Sequence, residues 1–417
     1  MAKQRKIHKL LQRSTKPLRI LAMKIGMILD APYPTDPRVT NEAKALINSG
    51  NEIFLFCLSY KKKFKKNEVI NDINIVRFYC SWLDYKLSAL VYTFPFYKWI
   101  MSKKIKNFIN DNDIEVLHIH DIQIASSVFY ANKSLNLNVT LDLHENRPEI
   151  MKFYKHVNSF LGRLFISPKR WKIAEEKYCK ESENIVVVTE HAKNELIHRV
   201  KLNKEKIVVF SNTVSKSFYQ EIKLHKEIIY KYSNSFVLLY LGNTSKRRGL
   251  ETVLRSVTEI IKSIPNFKFV IVGSSSYDKE LYEIAIACNI LKYVDFEGWK
   301  SEDLFPSYIK ASDLGISPLH SNLHHDTTYA NKLFQYMSLG LPILCSNVEA
   351  QKDLLKSYNV GLLFESQNSK DLTKSLFKLY LNKDLRLKLS KNSINAINNH
   401  LNNDLVSKNL VKHYEKQ

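Results

Sequence analysis

The sequence predicts an α/β protein of two doubly wound domains, each a parallel sheet covered by helices on both faces. Short apolar segments alternate along the chain with longer amphipathic ones, which is the pattern of such sheets. The strand candidates are apolar almost throughout, as expected of strands buried on both sides. The pattern restarts after a polar, charged stretch at residues 215–235, and 417 residues is long for a single core. A ligand is therefore expected in the cleft between the domains, beyond the carboxyl ends of the strands.

The first domain is predicted at residues 23–218, behind a basic leader at residues 1–22. The leader lacks a long apolar core and a small-residue cleavage site, so it is not expected to be a signal peptide. The strand candidates of this domain are KIGMILD, EIFLFCL, INIVRFY, EVLHIH, NVTLDLH, NIVVVT and KIVVFSN. Helices are predicted between them at residues 38–49, 89–110, 123–135, 161–181 and 191–200.

The second domain is predicted at residues 219–395. Its strand candidates are FVLLYLG, FKFVIVG, VDFEG, DLGISPL, PILCS and VGLLF. Its helices are predicted at residues 250–263, 278–288, 303–311, 331–339 and 350–356. A last helix, within residues 396–417, is expected to cross back to the first domain.

Composition excludes several classes of protein. Hydrophobic residues make up 45% of the chain, with 22 Tyr and 21 Phe, so a packed interior is expected and wholesale disorder is not. No apolar run reaches the ~18 residues of a membrane-spanning helix. The five cysteines include no C-x-x-C pair, which indicates free thiols in a reducing cytoplasm and argues against a disulfide framework or a zinc site.

The formal charge of +22 is concentrated in two stretches of the first domain. Residues 61–106 hold eleven Lys or Arg and three acids, and residues 151–180 hold eight and two. Aromatic residues are interleaved with the bases in both stretches. The combination favours an anionic membrane surface as a partner, placing the protein peripherally on the cytoplasmic face of the plasma membrane. A solvated helix face is the alternative, and nucleic acid is not expected as a partner.

Two polar segments of the second domain are predicted to bind an anion. The first, GNTSKRRGLETVL, follows a strand and opens a helix, so Gly242 permits a turn while Lys246, Arg247 and Arg248 bring positive charge to a helix start. A basic surface turn is the alternative interpretation. The second, DTTYANKLFQYMSLGLPIL, begins another helix, and its polar residues Thr327, Thr328, Asn331, Lys332 and Gln335 can surround a diphosphate, with Thr328 as the helix cap.

Polar residues of the first domain are predicted to face the cleft from the other side. His144, Glu145 and Asn146 follow a buried strand, where a histidine can donate a hydrogen bond or carry a proton. His120 lies in a similar segment, HIHD, and is predicted on the acceptor side together with Glu145 and Asn146. No third metal ligand has convincing spacing, so no metal is expected. The proline-rich loop at residues 30–46 places Asp36 and Arg38 where they can touch an acceptor, although Arg38 can equally be structural.

Together these segments resemble the family-four glycosyltransferases, retaining enzymes of GT-B fold that use nucleotide sugars. The resemblance covers the chain after Met23 and is carried by segments in family order: YPTDPRVTNEAKALINSGNEI, HIHD, LDLHEN, NIVVVTEHAKNEL, GNTSKRRGLE, FVIVG, FEGW, YIKASDLGISPL and NKLFQYMSLGLPIL. It is greatest for members that build bacterial surface polysaccharides, including lipopolysaccharide, in which the last segment begins N-K-L-F-E-Y-M.

The resemblance implies roles for individual residues. His144 matches the histidine near the reacting carbon of the donor sugar, and Arg248 matches the basic residue on the donor diphosphate. The loop of Glu297, Gly298 and Trp299 matches the one whose backbone meets the nucleotide base. The helix beginning near Thr328 holds the diphosphate and the sugar.

The sequence departs from the family pattern at three positions. Gln335 replaces a glutamate that usually binds the ribose hydroxyls, so weaker donor binding is expected because neutral acceptors bond less strongly. Thr327 stands where many members have a first glutamate. Asn243 replaces an arginine, whose charge Lys246 or Arg247 can supply.

The resemblance implies transfer of a hexose-like sugar from a nucleoside diphosphate to a hydroxyl of a saccharide, with a lipid-linked saccharide as the expected acceptor. No cofactor and no metal are expected. Two other functions remain open at this point: a GT-B sugar-nucleotide epimerase, which needs no acceptor, and a non-catalytic partner in glycan assembly, which the replacements at positions 335 and 243 favour.

Overall fold

Two parallel sheets organise the chain in the computed structural model, which describes residues 22–61 and 64–415. The predicted leader therefore lies, apart from its last residue, outside the described part of the chain. The strands are, in chain order, β1 (Lys24–Leu29), β2 (Glu52–Ser59), β3 (Asn67–Ile70), β4 (Ile73–Tyr79), β5 (Val116–His120), β6 (Asn138–Leu143), β7 (Asn184–Val187), β8 (Ile207–Val209), β9 (Phe236–Leu241), β10 (Phe267–Val272), β11 (Val294–Gly298), β12 (Leu314–Ser317), β13 (Ile343–Ser346) and β14 (Gly361–Phe364).

Helices connect the strands in both halves of the chain. In the first half they are α1 (Pro37–Asn48), α2 (Trp82–Ser88), α3 (Phe96–Asp111), α4 (Ile122–Asn132), α5 (Arg147–Met151), α6 (Lys155–Asn158), α7 (Phe160–Phe165), α8 (Pro168–Glu181) and α9 (Glu190–Val200). In the second half they are α10 (Lys216–Gln220), α11 (Lys226–Tyr232), α12 (Leu250–Ser263), α13 (Asp278–Ala287), α14 (Phe305–Lys310), α15 (Leu323–Asp326), α16 (Lys332–Ser338), α17 (Glu349–Tyr358), α18 (Ser369–Leu381), α19 (Lys383–Asn399) and α20 (Asn403–Tyr414). Short 3₁₀ turns lie at Lys204–Lys206, Lys246–Arg248, Leu291–Tyr293 and Glu302–Leu304.

The strand order confirms two doubly wound sheets. The first sheet runs β3-β4-β2-β1-β5-β6-β7-β8, and its pairs are parallel except β3 with β4. The second runs β11-β10-β9-β12-β13-β14 and is parallel throughout. In both sheets the order reverses beside the first strand, β1 or β9. The crevice at such a switch point is where open α/β sheets bind ligands.

Apolar residues cover both faces of each sheet. Along β1, Ile25 and Met27 belong to one buried cluster and Ile28 to another, because successive side chains point to opposite faces. Leu238 and Leu239 of β9 divide in the same way between two clusters of the second half. This two-sided burial explains why the strands are apolar almost throughout.

The structure differs from the sequence-based expectation in several short helices that were not predicted, such as α5 and α11, and in three further elements. A short antiparallel edge strand, β3, was not predicted because only two of its four residues, NEVI, are apolar, which is too little for a periodic signal. The helix expected at residues 89–110 begins only after Pro95, which follows a separate helix, α2. The helix expected at residues 161–181 is divided into α7 and α8, because Pro168 cannot continue the hydrogen-bond ladder of a preceding helix.

The two halves of the chain meet at several contacts. The hydroxyl of Thr189 donates to the carbonyl of Thr327 at 2.6 Å, and α5 packs against α15. The last helix, α20, packs against α1 and β8, and the Tyr414 hydroxyl lies 2.6 Å from Nδ1 of His118. Within the described ranges, no helix combines the length and apolarity needed to cross a bilayer.

Candidate functional site

His144 lies between two carboxylates at the end of β6. Its Nε2 is 2.8 Å from Asp142 and its Nδ1 is 3.4 Å from Asp36. Although burial opposes protonation, these carboxylates raise the pKa of His144 to about 10. The ring is therefore an imidazolium at neutral pH and cannot act as a proton acceptor.

A buried ionic cluster holds Asp142, the carboxylate that contacts His144. Arg38 donates to both oxygens of Asp142, at 2.5 and 2.9 Å, and lies 3.0 Å from Glu42. His120 is 3.2 Å from Asp142 and fully buried. Arg38 and His120, predicted on the acceptor side, are both buried in this cluster, although Arg38 also borders the cavity between the two halves of the chain. Their position makes them supports of His144.

Four members of this cluster have the geometry of a metal site. Ligand atoms of Glu42, His118, His120 and Asp142 lie within 4.8 Å of one another, and all four residues are buried. Arg38, however, already places a cation against both carboxylates. A divalent ion would have to compete with that guanidinium, so the charge balance favours the ionic cluster as it stands.

The opposite wall of the cleft carries positive charge without matching carboxylates. The 3₁₀ turn Lys246–Arg248 follows β9 and ends at Gly249, whose φ is +77° and whose Cβ, if present, would lie 1.8 Å from the Pro318 carbonyl oxygen. Only glycine therefore fits at this turn. Among the described residues, no carboxylate lies within ion-pair distance of Arg247, Arg248 or Lys332, and Nε of Arg248 is buried without a protein partner.

Burial and mutual repulsion act together on these cations. The Lys332 ammonium is 3.3 Å from the centre of the Tyr240 ring, and burial followed by the charge of Arg248 lowers its pKa well below the usual range. The same two causes lower the pKa of Arg247 to about 10. Arg247 donates to His325 at 2.8 Å, which accepts because burial and the arginines hold its pKa at about 3. A bound anion would relieve all of these shifts.

The segment around Thr327 and Thr328 is built differently from the expectation. Thr328 does not cap a helix: its hydroxyl donates to the His324 carbonyl at 2.8 Å, and that of Thr327 donates to Leu323 at 2.8 Å. The short helix α15 ends directly before these threonines, and its carbonyl groups accept the hydrogen bonds that the two hydroxyls donate. Asn331 stands at the start of α16 but makes no side-chain cap.

Gln335 has a carboxylate as its partner. Its Nε2 donates to Oε1 of Glu302 at 2.9 Å, and both residues line a cavity of about 510 Å³ between the two halves of the chain, together with Asn331, Asp36 and Arg38. Glu302 was not identified from the sequence, because it is 33 positions from Gln335 and lies in an ordinary polar turn.

The remaining predicted donor residues shape the backbone. Glu297 bonds to Tyr232, Tyr308 and Lys231, and despite burial these bonds lower its pKa to about 2, so its carboxylate is not free for a base. Gly298 has φ of +68° and Trp299 is exposed. Asn243 accepts from the backbone N–H of Ser245 at 3.0 Å and so stabilises the turn before the cations.

The remaining residues predicted on the acceptor side are held by local bonds. Asp36 caps α1 as well as facing His144, since it accepts from the Arg38 N–H at 2.9 Å. Asn146 caps α5, and Glu145 forms a 3.0 Å ion pair with Arg147. Arg147 was not identified from the sequence, although it follows the HEN segment directly.

Comparisons with known proteins agree with this geometry. The family model described as Glycosyltransferase Family 4 matches residues 38–218, and the model described as Glycosyl transferases group 1 matches residues 221–396. An uncharacterized glycosyltransferase of Methanocaldococcus jannaschii is 23% identical over 376 residues, which cover 86% of this chain and 89% of that protein. The UDP-Gal:alpha-D-GlcNAc-diphosphoundecaprenol alpha-1,3-galactosyltransferase of Escherichia coli is 28% identical over 171 residues, or 40% of this chain and 42% of that enzyme.

A solved structure confirms the fold. Sucrose-phosphate synthase from Thermosynechococcus elongatus superimposes with a TM-score of 0.77 at 14% identity, covering 94% of this chain and 98% of that one. The two sheets and the cleft between them are thus the GT-B arrangement expected from the sequence.

Proposed function

The chain belongs to the family-four glycosyltransferases, retaining enzymes that use nucleotide sugars, and from this premise we propose that it extends a lipid-linked saccharide in the synthesis of a cell-surface polysaccharide. The sugar would pass from a nucleoside diphosphate to a hydroxyl of the acceptor. The partial similarity to a galactosyltransferase whose acceptor is a diphosphoundecaprenol supports both the uridine diphosphate donor and the lipid-linked acceptor as the first to test.

The observation that carries the donor side of the proposal is the unmatched positive charge around Gly242. Arg247, Arg248 and Lys332 converge there, and a Cβ on Gly242 would be only 3.8 Å from the Lys332 ammonium. Negative charge develops on the leaving diphosphate during transfer, and fixed cations in a dry site stabilise it most where no carboxylate competes. Asn331 lines the adjoining cavity, and Thr327 and Thr328 support the loop before it.

The protonation of His144 limits its part in the reaction. As an imidazolium held by Asp142 and Asp36 it takes no proton from the acceptor. We place its positive charge beside the reacting carbon, where the oxygen atoms of the donor sugar are its partners. In the same-face substitution attributed to this family the leaving phosphate accepts the proton, so no protein base is required.

The test is a panel of donors with lipid-linked and water-soluble saccharide acceptors. His144→Ala and Arg248→Ala should each lower transfer at least a hundredfold, because each removes a charge near the leaving group. The matched controls His198→Ala and Arg255→Ala alter exposed residues and should leave transfer unchanged. Full activity of either site variant would refute the site assignment, and donor epimerisation without acceptor would refute the transfer reaction.

The membrane part of the proposal rests on where apolar side chains are exposed. An aromatic row, defined here as Trp99, Phe96, Phe94 and Phe165, runs across the first domain with neighbouring ring centres 6.0–6.2 Å apart. Phe160, Leu161 and Leu164 of α7 are also exposed, and we call them, with the row, the apolar face. Bases on the same elements, such as those of α3 and α8, suit anionic lipid headgroups.

Vesicle flotation tests this face. The triple variant Phe160→Ser, Leu161→Ser, Leu164→Ser should lose binding to anionic vesicles. The matched control, Leu381→Ser with Leu387→Ser and Ile394→Ser, alters exposed apolar residues of the second domain and should keep it. Binding should weaken as salt rises; equal loss in both triple variants, or salt-independent binding, would contradict this placement.

A further inference from the structure

A cavity of about 820 Å³ opens in the first domain beside the apolar face. It lies beyond the end of β1, between α2, α3 and the helices α5 to α8. The side chains at one end are polar, Asp30, Gln123 and Arg147, whereas Leu161 and Phe165, which also line it, belong to the apolar face. The cavity is thus polar at its buried end, and its exposed end is lined by apolar side chains together with Lys86 and His156.

Asp30 has one oxygen that no protein group satisfies. Its Oδ1 accepts a short hydrogen bond from the Tyr97 hydroxyl, whereas its Oδ2 is buried and has no partner among the described residues. Burial raises the pKa of Asp30 to about 7, against the lowering effect of Tyr97 and Gln123. An unpaired carboxyl oxygen in a buried position is costly unless a ligand completes its bonding.

A chain of polar contacts joins this buried end of the cavity to the catalytic cleft. Arg147 donates to Gln123 at 2.8 Å and pairs with Glu145, the neighbour of His144, at 3.0 Å. Tyr154 lines the cavity; burial raises its pKa, and the charges of Arg147 and Arg247 oppose that shift. Arg147 thus links the polar end of the cavity to Glu145, which directly follows His144 in the sequence.

We propose that this cavity receives the acceptor, an amphiphile whose saccharide reaches the Asp30 carboxyl while its hydrocarbon chain leaves between α2 and α7 across the apolar face. The inference rests on the proposed glycosyl transfer and assigns the acceptor's place within it. Its oxygen-rich end matches Asp30, Gln123 and Arg147. Its phosphates match Lys86 and His156, which line the same cavity nearer the surface, and its lipid matches Leu161 and Phe165.

Binding measured without the second substrate separates this inference from the proposed function. The acceptor probe is a fluorescent N-acetylglucosaminyl diphosphate prenol in detergent, and the donor probe is UDP measured by calorimetry. Asp30→Asn keeps an oxygen for the Tyr97 bond but replaces the unpaired Oδ2 acceptor by an amide group that can only donate, and it should weaken acceptor binding about tenfold or more. Ala89→Trp narrows the cavity at a half-buried position and should do the same.

A control variant outside the cavity and the binding of UDP test whether the effect is confined to the acceptor. Ala287→Trp, at an exposed position of α13, should bind the acceptor probe like the wild type, and all three variants should bind UDP within twofold of it. No saturable acceptor binding by the wild type, or unchanged binding in both cavity variants, overturns the inference even if UDP binds. A parallel loss of UDP affinity in Asp30→Asn also overturns it, because the residue would then act on the donor. If the wild type binds the acceptor probe but does not bind UDP, the proposed donor site is refuted instead.

Discussion

Restoring a glutamate at position 335 should weaken donor binding in this chain. Charge alone predicts the reverse, because a carboxylate accepts hydrogen bonds from ribose hydroxyls more strongly than an amide does. The structure changes the expectation: the Gln335 amide donates to Glu302 at 2.9 Å, so Gln335→Glu places two carboxylates face to face and removes the donor that joins them. We infer that Glu302 supplies the anionic acceptor for the ribose and that Gln335 holds it in place.

The size of the expected effect of Gln335→Glu combines the lost hydrogen bond with the repulsion between two carboxylates. A hydrogen bond to a charged group contributes ~1.5–3 kcal/mol. Two like charges 4 Å apart repel by about 4 kcal/mol near a protein surface, and solvent at the exposed Glu302 reduces this toward ~1 kcal/mol. We infer that UDP binds only when Glu302 is held in this arrangement, so a loss of ~2 kcal/mol or more in the stability of the arrangement predicts at least a tenfold higher Kd for UDP.

A double-mutant cycle measured by calorimetry tests this reasoning. Gln335→Glu and Glu302→Gln should each weaken UDP binding about tenfold, and the exchanged pair Gln335→Glu with Glu302→Gln should recover to within about threefold of the wild type. Asp303→Asn is the matched control, since it removes a neighbouring carboxylate that lines the same cavity. Tighter binding by Gln335→Glu alone, with no effect of Glu302→Gln, would refute the pairing.

Three further predictions concern the two charged clusters. Lys332→Met should raise the melting temperature, because it removes a buried cation that lacks a counter-ion, yet weaken UDP binding at least tenfold; thermal melts and calorimetry check both. Asp142→Asn should destabilise the fold by ~3 kcal/mol. In the wild type, the stability that comes from the raised pKa of His144 is fully present below about pH 6.5 and is lost as the pH rises toward about 10. Urea unfolding measured across this pH range should show a smaller change in stability for the variant. Tyr414→Phe should cost ~1 kcal/mol of stability without changing the Kd for UDP, since it removes only the bond to His118.

Much of the fold could be predicted from the sequence because local chemistry and burial agree. The apolar strands around Ile28 and Leu239 are buried on both faces, and such strands are apolar whatever their neighbours are. The errors occur where a proline ends or begins a helix within a longer apolar pattern, at Pro95 and Pro168, and where pairing with β4 makes a strand of the short segment NEVI. In those places the secondary structure is set either by a single residue or by pairing with another strand.

The site was predicted unevenly for a related reason. His144 and Arg248 follow strands, so their position in the cleft is implied by the fold class alone. The partners that define their chemistry are far away in sequence: Asp142 reaches Arg38 across 104 positions, and Gln335 reaches Glu302 across 33. Arg38 shows the consequence, since a proline-rich loop suggested contact with an acceptor and the structure instead encloses its side chain against two carboxylates.

The two walls of the cleft differ in how their charge is balanced, and the difference indicates where each substrate acts. On the first wall, three cations, Arg38, His118 and His144, are matched by three carboxylates, Asp142, Glu42 and Asp36, so this wall is close to neutral and is held by its own ion pairs. On the second wall, the cations around Gly242 have no such partners among the described residues. Desolvated charge of one sign is tolerated in a folded protein when a ligand of the other sign returns the lost energy on binding. We therefore propose that the diphosphate binds at the second wall, and that the balanced charges of the first wall hold His144 beside the donor sugar without adding net charge to the donor site.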